Sequence, residues 1–241
     1  MRFPKHLPLN EIDLVNQPPL HFLQVQDALI LLTVIPWSVG YVLYIQQAYR
    51  DKSYGMPLFA LCSNIAWELV YAFRFPWNLT QFIIFVPWVI IDIYLVYTTI
   101  KFGPNQWKHA PLVAQNLTSI TLFGIVFMIG AHWTFAETYG SNVEAIVWSA
   151  FVCQMVLGWA SIAQLVTRNN TSGHSMSIWF CRFLGSTAAV VVYCWRYACY
   201  PKDYWMAGTP VGIFLFVMGE VADVCYPMVF NYCSKSKNKT A

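Results

Sequence analysis

The residues of this sequence that could do chemistry are four acids and one arginine inside long apolar stretches. They are Glu68, Asp92, Glu220, Asp223 and Arg182. A charged side chain at the centre of a membrane span costs about 2.5–3.5 kcal/mol on insertion scales. One arginine can pair with one acid and hold helices together, but it cannot neutralise four acids. We therefore expect at least two of the acids to be protonated, hydrated or functional.

Three polar side chains share one helix face around the first of these acids. Asn64, Glu68 and Tyr71 are spaced i, i+4 and i+7, which aligns an amide, a carboxyl and a phenol. At 1.5 Å per residue, Glu68 lies roughly 10 Å from the nearer end of its apolar run. A carboxylic acid that keeps its proton near neutral pH is a proton donor. The stripe predicts general acid chemistry, with Glu68 as the donor and Asn64 and Tyr71 as orienting groups.

A second acidic pair lies near the C-terminus. Glu220 and Asp223 are three residues apart and share a helix face, and Pro227 follows one turn later. A kinked helix beside two carboxyls is unusual for packing alone. Structural pairing of Glu220 with Arg182 is one reading. The other is that Asp223 assists Glu68 or shares its proton, with Arg182 as an orienting group and Glu220 and Asp92 in lesser roles.

Aromatic residues make up 17% of the chain, and several tryptophans lie in the middle of apolar runs, Trp67 among them. Packing accounts for most of them, but aromatic faces also attract cations and could stabilise a carbocation. The sequence has no aspartate-rich run to hold magnesium and a diphosphate, and no clustered cysteine and histidine ligands. We therefore expect neither a metal nor a cofactor.

The composition indicates the elements that must position these residues. The chain is 58% apolar and 10% charged, whereas soluble domains carry about 25% charged residues. The net charge of +3 is too small to suggest nucleic-acid binding. Residues 1–241 are expected to form one integral-membrane domain, with a polar N-terminal segment at 1–27 and a basic cytosolic tail at 232–241.

Apolar runs of about 20 residues predict an all-α, seven-transmembrane helix bundle, because lipid offers the backbone no other hydrogen-bond partner. The predicted spans are 28–49, 56–75, 80–100, 111–132, 143–166, 176–199 and 206–231. Seven spans place the two termini on opposite sides of the membrane.

Basic residues predict the orientation. The side that carries the C-terminus has eight of them and the other side has five. The eight are Arg50, Lys52, Lys101, Lys108, Arg168, Lys235, Lys237 and Lys239, and the five are Arg2, Lys5, Arg74, Arg196 and Lys202. The positive-inside rule then places the C-terminus in the cytosol. We expect the membrane to be the endoplasmic reticulum.

A short motif occurs twice and favours a second functional class. The pattern Gln46-x3-Arg50-x2-Ser53-x-Gly55 recurs as Gln164-x3-Arg168-x2-Thr171-x-Gly173. The repeat indicates three spans, a linking span and three more spans. Small transporters share that 3+1+3 plan, and midplane acids are typical of proton coupling. A proton-coupled transporter is therefore the alternative to an enzyme.

Three motifs together resemble a known family. They are Asn64-x-x-Trp67-Glu68, the segment Arg168 to Ser177 followed by Trp179 and Arg182, and Gly219-Glu220-x-x-Asp223-x-x-Tyr226-Pro227. Their order, and the length of the chain, are similar to the integral-membrane terpene cyclases of fungal meroterpenoid and indole-diterpene pathways.

The resemblance implies a specific reaction. Such enzymes protonate the terminal epoxide of a prenylated, often farnesylated, aromatic or polyketide precursor and let the polyene close into fused rings. The family's essential acids correspond to Glu68 and Asp223, and no metal is required. The implied partners are a lipophilic epoxyprenyl substrate and membrane lipid. The aromatic core, the terminating base and the oligomeric state are left open.

Overall fold

The computed structural model describes residues 5–76, 78–139 and 142–237, and this part of the chain is helical with short connections. The helices are α1 (Glu11–Asn16), α2 (Leu20–Asp51), α3 (Leu58–Leu69), α4 (Leu79–Phe102), α5 (Pro111–Tyr139), α6 (Asn142–Arg168), α7 (Met176–Cys199) and α8 (Pro210–Lys237). Short 3₁₀ turns occur at Gly103–Gln106 and Trp205–Gly208. The prediction of an all-α membrane protein is confirmed.

Six helices in the described residues are long and apolar enough to cross a membrane: α2 and α4 to α8. The prediction of seven spans is therefore not confirmed as a count. The exception is the run predicted at 56–75, which forms the 12-residue α3 and then a five-residue π-helical turn at Val70–Arg74. Pro57 caps its start, and Pro76 disfavours helix at the residue before it.

The loops define two ends of the bundle. At the end that we call the Asp51 end, Gly173 N donates to Asp51 Oδ2 (2.8 Å) and Trp107 Nε1 donates to Tyr54 Oη (2.9 Å). At the opposite end, the Asp203 end, Asn16 Nδ2 donates to Asp203 Oδ2 (2.7 Å). The segment 55–76, which contains α3, leads from the Asp51 end towards the Asp203 end.

The two copies of the repeated motif contact each other at the Asp51 end. Gly55 and Gly173 lie so close that a Cβ on either would overlap the backbone of the other loop, and Gly173 has a φ of +85°. Arg168 Nη1 donates to Tyr54 O across the same contact (2.8 Å). This contact explains why both loops carry glycine. The 3+1+3 repeat itself is not confirmed.

The ends of several helices differ from the prediction, and two of them change the predicted terminal segments. α2 begins at Leu20, directly after Pro19, so it takes in part of the segment predicted to be polar and non-spanning at 1–27. α8 continues to Lys237 and so takes in part of the tail predicted at 232–241, whose last residues, 238–241, lie outside the described residues. A buried chain of hydrogen bonds anchors α1 to this bundle, from Asp13 through Gln26 to Arg196.

Candidate active site

A cavity of about 250 Å³ runs from the middle of the bundle to the Asp203 end, between α2, α3, α4, α6 and α7. Its central wall is apolar and rich in aromatic rings, including Trp67, Phe85 and Trp88. Its mouth carries polar groups such as Gln81 and Arg196. The span from Thr80 to Trp88 along α4 corresponds to roughly 12 Å of depth. The cavity suits an apolar chain with a polar head.

Two carboxyls share one amide beside the deep part of this cavity. Asn64 Nδ2 lies 2.7 Å from Asp92 Oδ2 and 3.2 Å from Glu68 Oε1. Both acids are fully buried. Among the described residues, no hydrogen-bond partner is found for Glu68 Oε2 or Asp92 Oδ1. The structure thus brings together the predicted residues Asn64, Glu68 and Asp92, from α3 and α4.

Tyr41 connects this acid pair to the cavity. Its ring lies in the cavity wall, whereas neither Glu68 nor Asp92 lines the cavity. The Tyr41 hydroxyl is 3.2 Å from Glu68 Oε1 and accepts a hydrogen bond from Asn64 Nδ2 at 2.8 Å. Tyr41 could not be found from sequence spacing, because it lies on α2 and no spacing within one helix relates it to Glu68.

Asp223 belongs to a second, separate polar network. Arg182 Nη2 donates to Asp223 Oδ1 at 2.6 Å, and both side chains are buried. Arg182 Nη1 also donates to Tyr44 Oη (3.1 Å) and Ser161 Oγ (3.0 Å). Gln154, which lines the cavity, donates to Asp223 Oδ2 at 3.0 Å. Asp223 therefore reaches the cavity through Gln154.

The proposed pairing of Glu220 with Arg182 is wrong. Glu220 Oε2 accepts instead from Thr187 Oγ1 at 2.8 Å. Glu220 and Asp223 do share one side of α8, but the guanidinium of Arg182 contacts Asp223, which lies one turn after Glu220. The ion pair holds Asp223 against Arg182, in a network apart from that of Glu68.

The aromatic residues predicted beside the acids lie in or next to the cavity wall. Trp67 lines the cavity and donates through Nε1 to Ser149 Oγ at 2.9 Å. Its ring centroid is 4.6 Å from that of Phe85, which stacks on Trp88 at 5.6 Å. Tyr71 donates to the carbonyl of Ala145 at 3.2 Å rather than to an acid. Trp67 is therefore placed to contact a bound chain, and Tyr71 supports the wall.

No group of three or more histidine, cysteine, aspartate or glutamate residues is arranged to hold a metal ion within the described ranges. The polar groups of the site are instead the two carboxyls, the amide and the phenol already described. Groups of these types can transfer a proton within an apolar cavity.

Comparison with known proteins identifies the family. Residues 12–236 match the Pyr4-like transmembrane terpene cyclases. The chain is 53% identical to the Pyr4-family terpene cyclase mfmH of Annulohypoxylon moriforme, over 97% of both chains. It is 36% identical to terpene cyclase macJ of Penicillium terrestre, over 90% of this chain and 85% of that one. Identity to terpene cyclase pyr4 of Aspergillus fumigatus is 33%, over 89% of this chain and 90% of that one.

No solved structure matches the chain. The matches to named cyclases over nearly the full length do not favour the transporter alternative. An aromatic cavity with buried acids, several membrane-spanning helices and these relatives agree on one assignment. The chain belongs to the Pyr4-like transmembrane terpene cyclases.

Proposed function

We propose that this cyclase protonates the terminal epoxide of a prenylated, most simply farnesylated, aromatic or polyketide precursor and closes the polyene into fused rings without a metal ion. The observation that carries the proposal is the pair of buried carboxyls, Glu68 and Asp92, joined through Asn64 at the deep end of an aromatic cavity. Opening an epoxide requires only a proton, which such a pair can supply.

The substrate enters from the Asp203 end with its prenyl chain first. An apolar chain fits the walls formed by Trp67, Phe85 and Trp88, and a polar head fits the mouth near Gln81 and Arg196. This orientation brings the terminal epoxide to Tyr41 and Asn64 at the deep end. The aromatic faces then lie along the chain where positive charge develops during ring closure, and cations are stabilised by such faces.

The proton passes through Tyr41. Burying an unpaired charge costs several kcal/mol, so both carboxyls are neutral before the reaction. The Tyr41 hydroxyl transfers its proton to the epoxide oxygen while its own oxygen takes the Glu68 proton. The C–O bond breaks, its electron pair stays on oxygen as an alcohol, and the nearest alkene attacks the cationic carbon. The single negative charge left on Glu68 is stabilised by Asn64.

Tyr41→Phe should lower cyclisation strongly without unfolding the protein. The substitution removes the hydroxyl that links Glu68 to the cavity but keeps the ring, which packs edge-on against Trp88 at 5.8 Å. General acid catalysis contributes about 10²–10⁴-fold, so we expect a loss of that order in the rate of product formation. The measurement is conversion of an epoxyfarnesyl substrate in yeast microsomes, with products identified by mass spectrometry and NMR.

The matched control is Tyr193→Phe, since Tyr193 also lines the cavity and its ring packs against Phe151 rather than against the acid pair. This variant should keep most of the activity. If Tyr41→Phe cyclised the substrate as fast as Tyr193→Phe, the proton would have to reach the epoxide directly from Glu68.

We also propose a topology with seven crossings, the C-terminus in the cytosol and the N-terminus in the lumen of the endoplasmic reticulum. The supporting observation for the seventh crossing is that the segment 55–76 leads from one end of the bundle towards the other, as α2 and α4 do. The basic residues near the Asp51 end, such as Arg50, Lys52 and Lys101, support the orientation.

Glycosylation acceptors grafted onto extensions of the two termini, one at a time, should test this topology. The N-terminal graft should be modified and the C-terminal graft should not. The native Asn78-Leu79-Thr80 sequon should stay unmodified, because the Asn78 side chain caps α4 by accepting from Gln81 N at 2.7 Å. Modification of the C-terminal graft alone would show that the orientation is the opposite of the proposed one.

A further inference from the structure

A second group of proton-transferring side chains lies on another side of α3. Ser63 Oγ is 3.2 Å from His132 Nε2 on α5 and 3.2 Å from Cys153 Sγ on α6. Cys153 Sγ and His132 Nε2 are 4.0 Å apart. The span predicted at 111–132 would end at His132 and place that residue near a membrane surface. α5 instead continues to Tyr139, and His132 is buried.

One of the three residues of this cluster lines the cavity. Cys153 lines the cavity, whereas Ser63 and His132 do not. Ser63 directly precedes Asn64, so the cluster and the acid pair lie at the same depth of the bundle. Cys153 and Asn64 line the same cavity, so rings formed from a substrate whose epoxide lies at Asn64 can contact the sulfur of Cys153.

The three groups are suited to accepting a proton. A buried imidazole inside a membrane bundle is costly unless it is hydrogen-bonded or serves a function. The thiol can donate to the Ser63 oxygen while the Ser63 hydroxyl donates to His132 Nε2, which leaves the sulfur lone pairs unused by either hydrogen bond. The imidazole nitrogen is the strongest base in this chain of contacts.

We propose that Cys153 removes the proton that ends the cyclisation, with Ser63 and His132 as the positioning residues that carry it away. The inference rests on the proposed function. A C–H bond beside the final cationic carbon breaks, and its electron pair forms the new C=C bond. The proton goes to Cys153 sulfur, the thiol proton moves to Ser63, and the Ser63 proton moves to His132, which becomes an imidazolium.

The cycle then balances. After product leaves, the imidazolium returns its proton through Ser63 and Cys153 to water in the open cavity, and Glu68 regains one from water through Tyr41. The net reaction is an isomerisation, with one proton donated and one removed. Substitutions in the cluster should leave protonation of the epoxide intact. The final carbocation should then capture water or lose a different proton.

Cys153→Ala and His132→Gln test the inference by their products. Both should still consume the epoxyfarnesyl substrate, but formation of the principal alkene should fall by about 10²-fold, the order that general base catalysis contributes. Hydroxylated or isomeric products should replace it. The matched control is Cys62→Ala, because Cys62 is a buried thiol on α3 whose Sγ contacts Thr121 O and not the cavity. It should give the wild-type products.

An unchanged product pattern in His132→Gln would overturn the inference. A well-folded Cys153→Ala variant that no longer consumes the substrate would also overturn it, because the cluster would then act in protonation of the epoxide. If His132→Gln fails to accumulate, Ser63→Ala interrupts the same path with a smaller change and is judged by the same criteria. Failure of the proposed function gives a different result, because the wild-type protein would then leave the epoxyfarnesyl substrate uncyclised.

Discussion

Glu68→Gln is expected to abolish cyclised product while the protein still accumulates in the membrane. Glutamine keeps the shape of the side chain and can still hydrogen-bond Asn64 and Tyr41, but it has no acidic proton to give. Among the described residues no acid lines the cavity wall and could replace Glu68, so the loss should be at least the factor of about 10²–10⁴ that general acids supply. The measurement is product yield per amount of protein in microsomes, with the epoxyfarnesyl substrate.

Asp92→Asn and Glu220→Gln serve as comparisons for this result. Asp92 shares the amide of Asn64 with Glu68, so its substitution should lower the rate by less than that of Glu68. Glu220 is bonded to Thr187 and does not line the cavity, so Glu220→Gln should remain close to wild type. Substantial cyclised product from well-expressed Glu68→Gln would show that another group initiates the reaction.

Asp223→Asn is expected to destabilise the protein in addition to any effect on activity. It leaves the guanidinium of Arg182 buried without a countercharge, and breaking a buried ion pair costs about 3–5 kcal/mol. Membrane levels and the unfolding temperature in detergent should both fall. The double variant Arg182→Met, Asp223→Asn removes both charges and should recover much of that stability.

The activity of the double variant then separates two roles of Asp223. A folded but inactive double variant would mean that Asp223 or Arg182 is needed for the reaction, through Gln154 in the cavity wall. A folded and active one would make the ion pair structural. If Asp223→Asn unfolds at the same temperature as the control Glu220→Gln, the ion pair contributes little to stability.

Contacts within one helix could be predicted from the sequence, and contacts between helices could not. The i, i+4 spacing of Asn64 and Glu68 correctly placed an amide beside a carboxyl. Tyr41 and Asp92 complete the same network from α2 and α4, and their place depends on how those helices pack. Arg182 had two candidate acids one turn apart, and only the rotation of α8 against α7 decides between Glu220 and Asp223.

Helix ends were predicted less well than helix positions. α2 starts early, directly after Pro18-Pro19, because proline is frequent at the start of helices, and the pattern of apolar residues does not contain that signal. Because α5 continues to Tyr139, His132 lies in the interior and not at the end of its span, where the predicted bounds 111–132 would place it. The π-helical turn after α3 has no comparable signal, since four of its five residues, Val70 to Phe73, are as apolar as those of the helix before it.

The most direct test of proton delivery at Tyr41 is a cryo-electron microscopy structure with an unreactive substrate analogue that carries an aziridine in place of the epoxide. The mechanism predicts the aziridine nitrogen within hydrogen-bonding distance of the Tyr41 hydroxyl, next to Asn64. The prenyl chain should lie along Trp67 and Phe85, and the polar head should lie at the Asp203 end. An aziridine bound at Gln154, or a polar head at the deep end of the cavity, would contradict it.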